Sequence, residues 1–185
     1  GAHVTVRTTL LSNVKEALAA GVRQVIFGGE SFSHRPISWK DYEEAVRLCH
    51  EAGAEILFPT PRVVREKYQA RAQAQLRKLL TLLPDGVVLE YAGAIEWVKG
   101  EESLAVWAGP SMNIFNREAE KEIENLGFSG CFLSQELTIP QIRYIAKGSD
   151  IPLGAYVYGR TEMMISEYCA INAVMGDKDK KHCPM

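Results

Sequence analysis

The chain has 185 residues, 46% of them hydrophobic, with 21 basic residues against 23 acidic. That is enough apolar material for one sizeable core, and too close to charge balance for an obligate polyanion binder, although a local basic groove stays open to it. No apolar run approaches the roughly 20 residues that span a bilayer and no charged-then-apolar leader opens the sequence, so the expectation is one soluble, cytoplasmic domain over residues 1–185 with no membrane partner.

Short β-rich runs alternate with amphipathic segments, the pattern of parallel β/α units. A first strand, His3 to Thr8, leads into a helix from Ser12 to Ala20 that Gly21 ends, and Gln24 to Gly28 is the second strand. Ser38 and Asp41 make a capping-box pair for the next helix, in which Tyr42, Ala45, Val46 and Cys49 recur at helical spacing until Gly53. Glu55 to Pro59 is the third strand and a long helix runs from about Val63 to Leu82. Gly86 to Glu90 and Leu104 to Ala108 are the fourth and fifth strands. Asn116 caps a helix to Leu126, with Glu118, Glu120 and Glu122 near its positive end. Gly130 to Leu133 is the sixth strand, Thr138 and Gln141 open a helix ending before Gly148, Leu153 to Val157 is the seventh strand, and Thr161 to Cys169 a last short helix.

Seven such units fit a TIM-like (β/α) barrel lacking a unit, or an open doubly wound sheet. Thr8-Thr9-Leu10-Leu11 stands where a dinucleotide fold carries its glycine fingerprint. The absence favours an incomplete α/β barrel of about seven units. Barrel sites are built from the loops after the strands. Those loops bring Glu30, Arg62, Glu90, Tyr91, Asn113, Asn116, Ser134, Glu136, Tyr158, Arg160 and Glu162 to one rim. Each has a plainer reading too: Asn116 as a helix cap, Glu136 as a loop pair, Gly28-Gly29 as a turn. The helix from Arg62 carries Arg65, Lys67, Arg71, Arg77 and Lys78 against Glu66 alone, which suits RNA phosphates or simply a solvated face.

Familiar catalytic templates are missing: there is no Gly-x-Ser-x-Gly elbow and no His-Glu-x-x-His helix, and the four histidines are scattered. Glu90 and Glu136 remain as a general acid and base pair. Of the four cysteines, Cys49 and Cys131 read as packed thiols, while Cys169 and Cys183 flank a polar stretch near the end. The abrupt ends suggest a piece of a longer protein, cut near its cysteine region.

Three ordered stretches carry a resemblance: Ser111-Met112-Asn113-Ile114-Phe115-Asn116, Leu133-Ser134-Gln135-Glu136-Leu137, and Tyr158-Gly159-Arg160-Thr161-Glu162 on to Tyr168-Cys169. Together they resemble the collagenase-like peptidases, the thirty-second family of peptidases of unknown catalytic mechanism, and in particular the divergent later half of long members. The family's signature Glu falls on Gly154, its His on Tyr158 and its first Cys on Glu162, while Gly159 and Cys169 match. Cys183 resembles a third cysteine, and a fourth falls beyond Met185.

The resemblance implies a peptidase, with Glu90, Glu136, Arg160 and Glu162 as candidate catalytic residues. Glu30, Arg62, Tyr91, Asn113, Asn116, Ser134 and Tyr158 are then candidates to hold a peptide or RNA substrate. Relatives hold a 4Fe–4S cluster on four cysteines and take part in oxygen-independent hydroxylation of RNA bases or a quinone ring. On that reading no cofactor is expected in this piece alone. Cys169 and Cys183 are ligand candidates for a cluster in the full-length protein, whose remaining domains are partners. The replaced signature residues point instead to a third role, a non-catalytic barrel that binds substrate or supports a catalytic half.

Overall fold

The computed structural model describes residues 2–29, 37–160, 168, 173 and 174. Seven strands appear: β1 (Thr5–Thr8), β2 (Gln24–Phe27), β3 (Glu55–Pro59), β4 (Gly86–Leu89), β5 (Ala105–Ala108), β6 (Gly130–Phe132) and β7 (Leu153–Gly154). Between them lie α1 (Leu11–Ala19), α2 (Trp39–Glu51), α3 (Glu66–Leu80), α4 (Arg117–Asn125) and α5 (Ile139–Ala146). The link from β4 to β5 holds a 3-10 helix, Ala92–Trp97, in place of an α-helix.

Every strand pairs in parallel with the next in sequence, from β1 through to β7. Crossovers between parallel strands are right-handed, so an unbroken chain order sends every connection to one face. A doubly wound sheet needs its order to reverse, and this one never does. Strand order therefore decides what alternation alone leaves open: the fold is a seven-stranded partial (β/α) barrel, as expected. Among the described residues no pairing joins β7 to β1.

The helices form where their sequences say, for local reasons. Asp41 accepts from the Ser38 amide at 2.9 Å while the Ser38 hydroxyl accepts from the Asp41 amide, closing the capping box of α2. That helix buries Ala45, Val46 and Cys49 and sets Tyr42 edge-on between Phe27 and Phe58, with ring centroids 5.4 and 5.2 Å apart. Gln141 accepts from the Thr138 amide and hydroxyl at the start of α5. Helix α3 starts at Glu66, later than the expected Val63, because Pro61 and two β-branched valines precede it. In the 3-10 connection Ala94, Trp97 and Val98 are buried at helical spacing and cover the sheet as a helix would.

Two helix-side clusters form the main core, one around Val25, Phe27, Ile56 and Phe58 and one around Leu89, Trp97, Ile114 and Ile145. A third cluster, Ile26, Leu57 and Val88 with Trp107 and Phe132 against it, contains no helix residue. It is the inner face, because alternate strand residues share a face. The Trp107 and Phe132 rings lie 5.3 Å apart, over Gly130 and Gly154 respectively. Strand β7 stops at Gly154 instead of Val157. The Leu133 amide reaches the Gly154 carbonyl at 2.8 Å, and Leu133 itself then bridges to Ile114. Ala155 to Val157 are left exposed beyond it.

Candidate functional site at the barrel mouth

Inner-face parity continues past the strand ends. The next inward position after Val88 is Glu90, after Trp107 it is Gly109, and after Phe132 it is Ser134. Glu90 is only 2% exposed, so its carboxylate must be fully partnered to sit there. Arg7, inward-facing on β1, donates from Nη1 to Oε1 at 2.9 Å. The other oxygen, Oε2, accepts from the Ser111 amide at 3.3 Å and from the Ser111 hydroxyl.

The backbone around the carboxylate is fixed as tightly. The buried Thr60 hydroxyl accepts from the Glu90 amide at 2.9 Å, and the Thr60 amide donates to the Val88 carbonyl at 2.9 Å. A Cβ on Gly109 would lie 2.4 Å from Oε2 and 2.6 Å from the carboxylate carbon, so only glycine leaves room for the group. Three chain segments thus meet at one carboxylate, β1, the end of β4 and the loop after β5, while the loop after β3 holds its backbone.

The pair is unequal. Glu90 has no exposed side chain, whereas Arg7 is 38% exposed and presents the rest of its guanidinium to the mouth beside Gly29. The result is a fixed, accessible donor, held by a buried carboxylate, above an apolar floor. Such a donor orients a planar polar group presenting a complementary acceptor.

The other candidates are placed as follows. Ser134 is buried and donates to the Asn113 Oδ1 at 3.1 Å, joining the loops after β5 and β6, and its oxygen accepts from the Glu136 amide at 3.4 Å. The Glu136 side chain is exposed. Tyr91 has the opposite parity to Glu90 and packs on the helix side, edge-on to Trp97 at 5.4 Å. Its hydroxyl is buried with no hydrogen-bond partner among the described residues, and burial pushes its pKa up. Arg62 lies partly buried between β3 and α3, while Tyr158 and Arg160 are exposed after β7. Glu30, Glu162, Cys169, Cys183 and nearly all of the expected helix from Thr161 lie outside the described residues.

Asn116 faces its own helix: Oδ1 accepts from the Ala119 amide at 2.8 Å. Asn116→Ala is therefore expected to cost about 1 kcal/mol of stability in denaturant titration, the usual worth of a cap, with substrate handling unchanged.

Nothing assembles a hydrolytic nucleophile among these residues. Burial raises the Cys49 thiol to about 11, with Asp85 adding to it, and the Cys131 thiol to about 12, with Glu120 adding. Both are inert at neutral pH. His50 sits 3.1 Å from Asp85, which also accepts from the Ile56 amide. That places it at the strand starts, the end opposite Glu90. A four-thiolate cluster does not fit this chain's donors either. Cys49 and Cys131 are locked into separate clusters, which leaves two cysteines at most.

Sequence reasoning placed Glu90, Ser134 and Asn113 at the rim and passed over Arg7. The only signal for Arg7 is a charged residue inside a strand, and its inward parity needs the register.

The sequence pattern of peptidase family U32 matches residues 10–184. The 23S rRNA 5-hydroxycytidine C2501 synthase of Escherichia coli (strain K12) is 26% identical over 161 residues, covering 85% of this chain and 24% of that protein. The chain thus spans about a quarter of that relative's length. Among solved structures, the U32 peptidase Mk0906 superposes with a TM-score of 0.66 at 14% identity, over 84% of this chain and 69% of that one. A monomeric form of phosphoribosylanthranilate isomerase from Thermotoga maritima gives 0.58 at 18% identity, over 85% and 77%. At these identities the structures speak to the barrel fold alone.

Proposed function

Because this chain belongs to peptidase family U32, we propose that it is the substrate-holding barrel of a protein that modifies a nucleobase in RNA, by hydroxylation, and not a peptide hydrolase. The observation that carries this reading is the buried Glu90 carboxylate, pinned by Ser111 and paired with a half-exposed Arg7 at the mouth. A base presented out of its stack is read along its polar edge by such fixed donors and acceptors. The exposed part of the Arg7 guanidinium donates to a carbonyl or ring nitrogen of the base, and the buried Glu90 carboxylate holds that guanidinium in position. Ser111 and Thr60 hold the carboxylate in place, and Gly109 leaves it space.

The rRNA-modifying relative supports the same direction. Peptide hydrolysis, by contrast, lacks a reactive thiol or a histidine near the mouth among the described residues, and both Glu90 oxygens are already engaged. Cys169 and Cys183 are proposed as two cluster ligands in the full-length protein, the others coming from outside this chain.

The test is nucleoside mass spectrometry of ribosomal RNA from cells with and without the gene, beside a peptide-cleavage assay on the purified full-length protein. Loss of one hydroxylated nucleoside, restored by the gene, with no peptide cleaved, is expected. Peptide cleavage abolished by Glu90→Gln, with RNA unchanged, would restore the peptidase reading. RNA binding without any change in nucleosides would leave a supporting barrel.

A further inference from the structure

Helix α3 has an unpacked end. A helix lying on a sheet buries a residue every third or fourth position, and α3 does so only from Leu76 and Leu79, with Ala72 partly covered. Every residue from Arg65 to Arg71 is exposed, so about a turn and a half stands clear of the barrel. It stands clear at the mouth, because α3 follows β3 through Thr60, whose hydroxyl holds the Glu90 amide.

The charge on that end runs against the helix's own stability. Arg65 and Lys67 sit at the first turn, where the helix dipole is positive and cations are unfavourable, and Arg71 follows one turn further on. Arg77 and Lys78 lie in the last turn, where they suit the dipole. The basic residues near the mouth therefore have no stabilising role of that kind. Tyr68 is 50% exposed beside them, with the Lys67 ammonium 4.7 Å from its ring centre.

We propose that this projecting end of α3 is the docking surface for the single-stranded RNA that delivers its base to the Arg7–Glu90 pair. Lys67 and Arg71 take successive phosphates, and Tyr68 offers a face on which a flanking base stacks, the combination by which single strands are held. The assignment rests on the RNA reading above.

The test uses the full-length protein and a short unstructured RNA oligomer, with affinity measured across a salt series. Lys67→Glu with Arg71→Glu is expected to weaken binding by at least about 10-fold and to lower the salt slope by about 1.4, at about 0.7 per phosphate lost. Tyr68→Ala should weaken binding several-fold with the slope unchanged. Arg77→Glu with Lys78→Glu, at the far end, should leave affinity as it was.

The Lys67/Arg71 variant is expected to melt no lower than wild type, since acidic residues suit that helix end, so weak binding cannot be put down to unfolding. Wild-type affinity and slope in that variant would overturn the docking surface while leaving the RNA reading intact. Equal competition by polyglutamate would overturn it in favour of an acidic protein partner. No RNA binding by the wild type, with ribosomal nucleosides unchanged in the deletion strain, would overturn the RNA reading itself.

Discussion

Glu90→Gln is expected to lower RNA modification by about 100-fold, because it removes the buried anion that aims the Arg7 guanidinium, and a misplaced binding group costs about that much. The amide keeps the shape of the carboxylate but removes its charge from Arg7 and one of its two acceptor oxygens from the cradle. Its cost in stability should be modest, about 1–2 kcal/mol, because the partner left behind, Arg7, is 38% exposed and water takes over part of its charge. Arg7→Met should cost more, about 3 kcal/mol, because it leaves the fully buried Glu90 carboxylate without its cation. The order matters more than either value: the exposed partner is the more damaging one to remove. Denaturant titration of the two variants checks it, and equal losses would mean that the pair is held mainly by Ser111 and Thr60.

Gly109→Ala should reproduce the Glu90 defect from the neighbouring strand. Gly109 has ordinary extended dihedrals, φ −76° and ψ 165°, so alanine meets no backbone strain there. In open space such a change stabilises by about 0.4–1 kcal/mol through the unfolded chain. Here the new methyl would sit 2.4 Å from Oε2 of Glu90, between strands that cannot part. The expected outcome is a loss of about 2 kcal/mol and a fall in activity of the same order as Glu90→Gln, since a carboxylate displaced by about an ångström no longer holds Arg7 in place.

Gly93→Ala, whose nearest neighbour would be Tyr91 at 3.5 Å, is the matched control and should be neutral. In a Glu90→Ala background the Gly109 change should cost little, because the clash is gone. Additive losses would instead place the damage elsewhere, since independent sites add.

Much of the barrel was legible because its signals are local. Short β-rich runs marked where all seven strands lie, and Ser38, Asn116 and Thr138 marked the helices they begin. Strand order was not legible, because alternating β/α units look alike in a barrel and in a doubly wound sheet. Only the pairing register separates them.

The same limit explains the site. Glu90 and Tyr91 read alike as rim residues, yet consecutive residues of a strand face opposite ways, and the structure sends one to the mouth and the other beneath the 3-10 helix. Arg7 looked like part of a strand. Its partner is 83 positions away in sequence, brought close by pairing across β1 to β4. The 3-10 connection after β4 was missed because Gly93 interrupts the helical signal of a segment only six residues long.

In the proposed function the Arg7–Glu90 cradle holds an RNA base for modification. Its most direct test is nucleoside mass spectrometry of ribosomal RNA from the deletion strain carrying either the wild-type gene or Glu90→Gln at equal protein level. The wild type is expected to restore one hydroxylated nucleoside, and Glu90→Gln to leave it near the level of the deletion. Full restoration by Glu90→Gln would contradict that function.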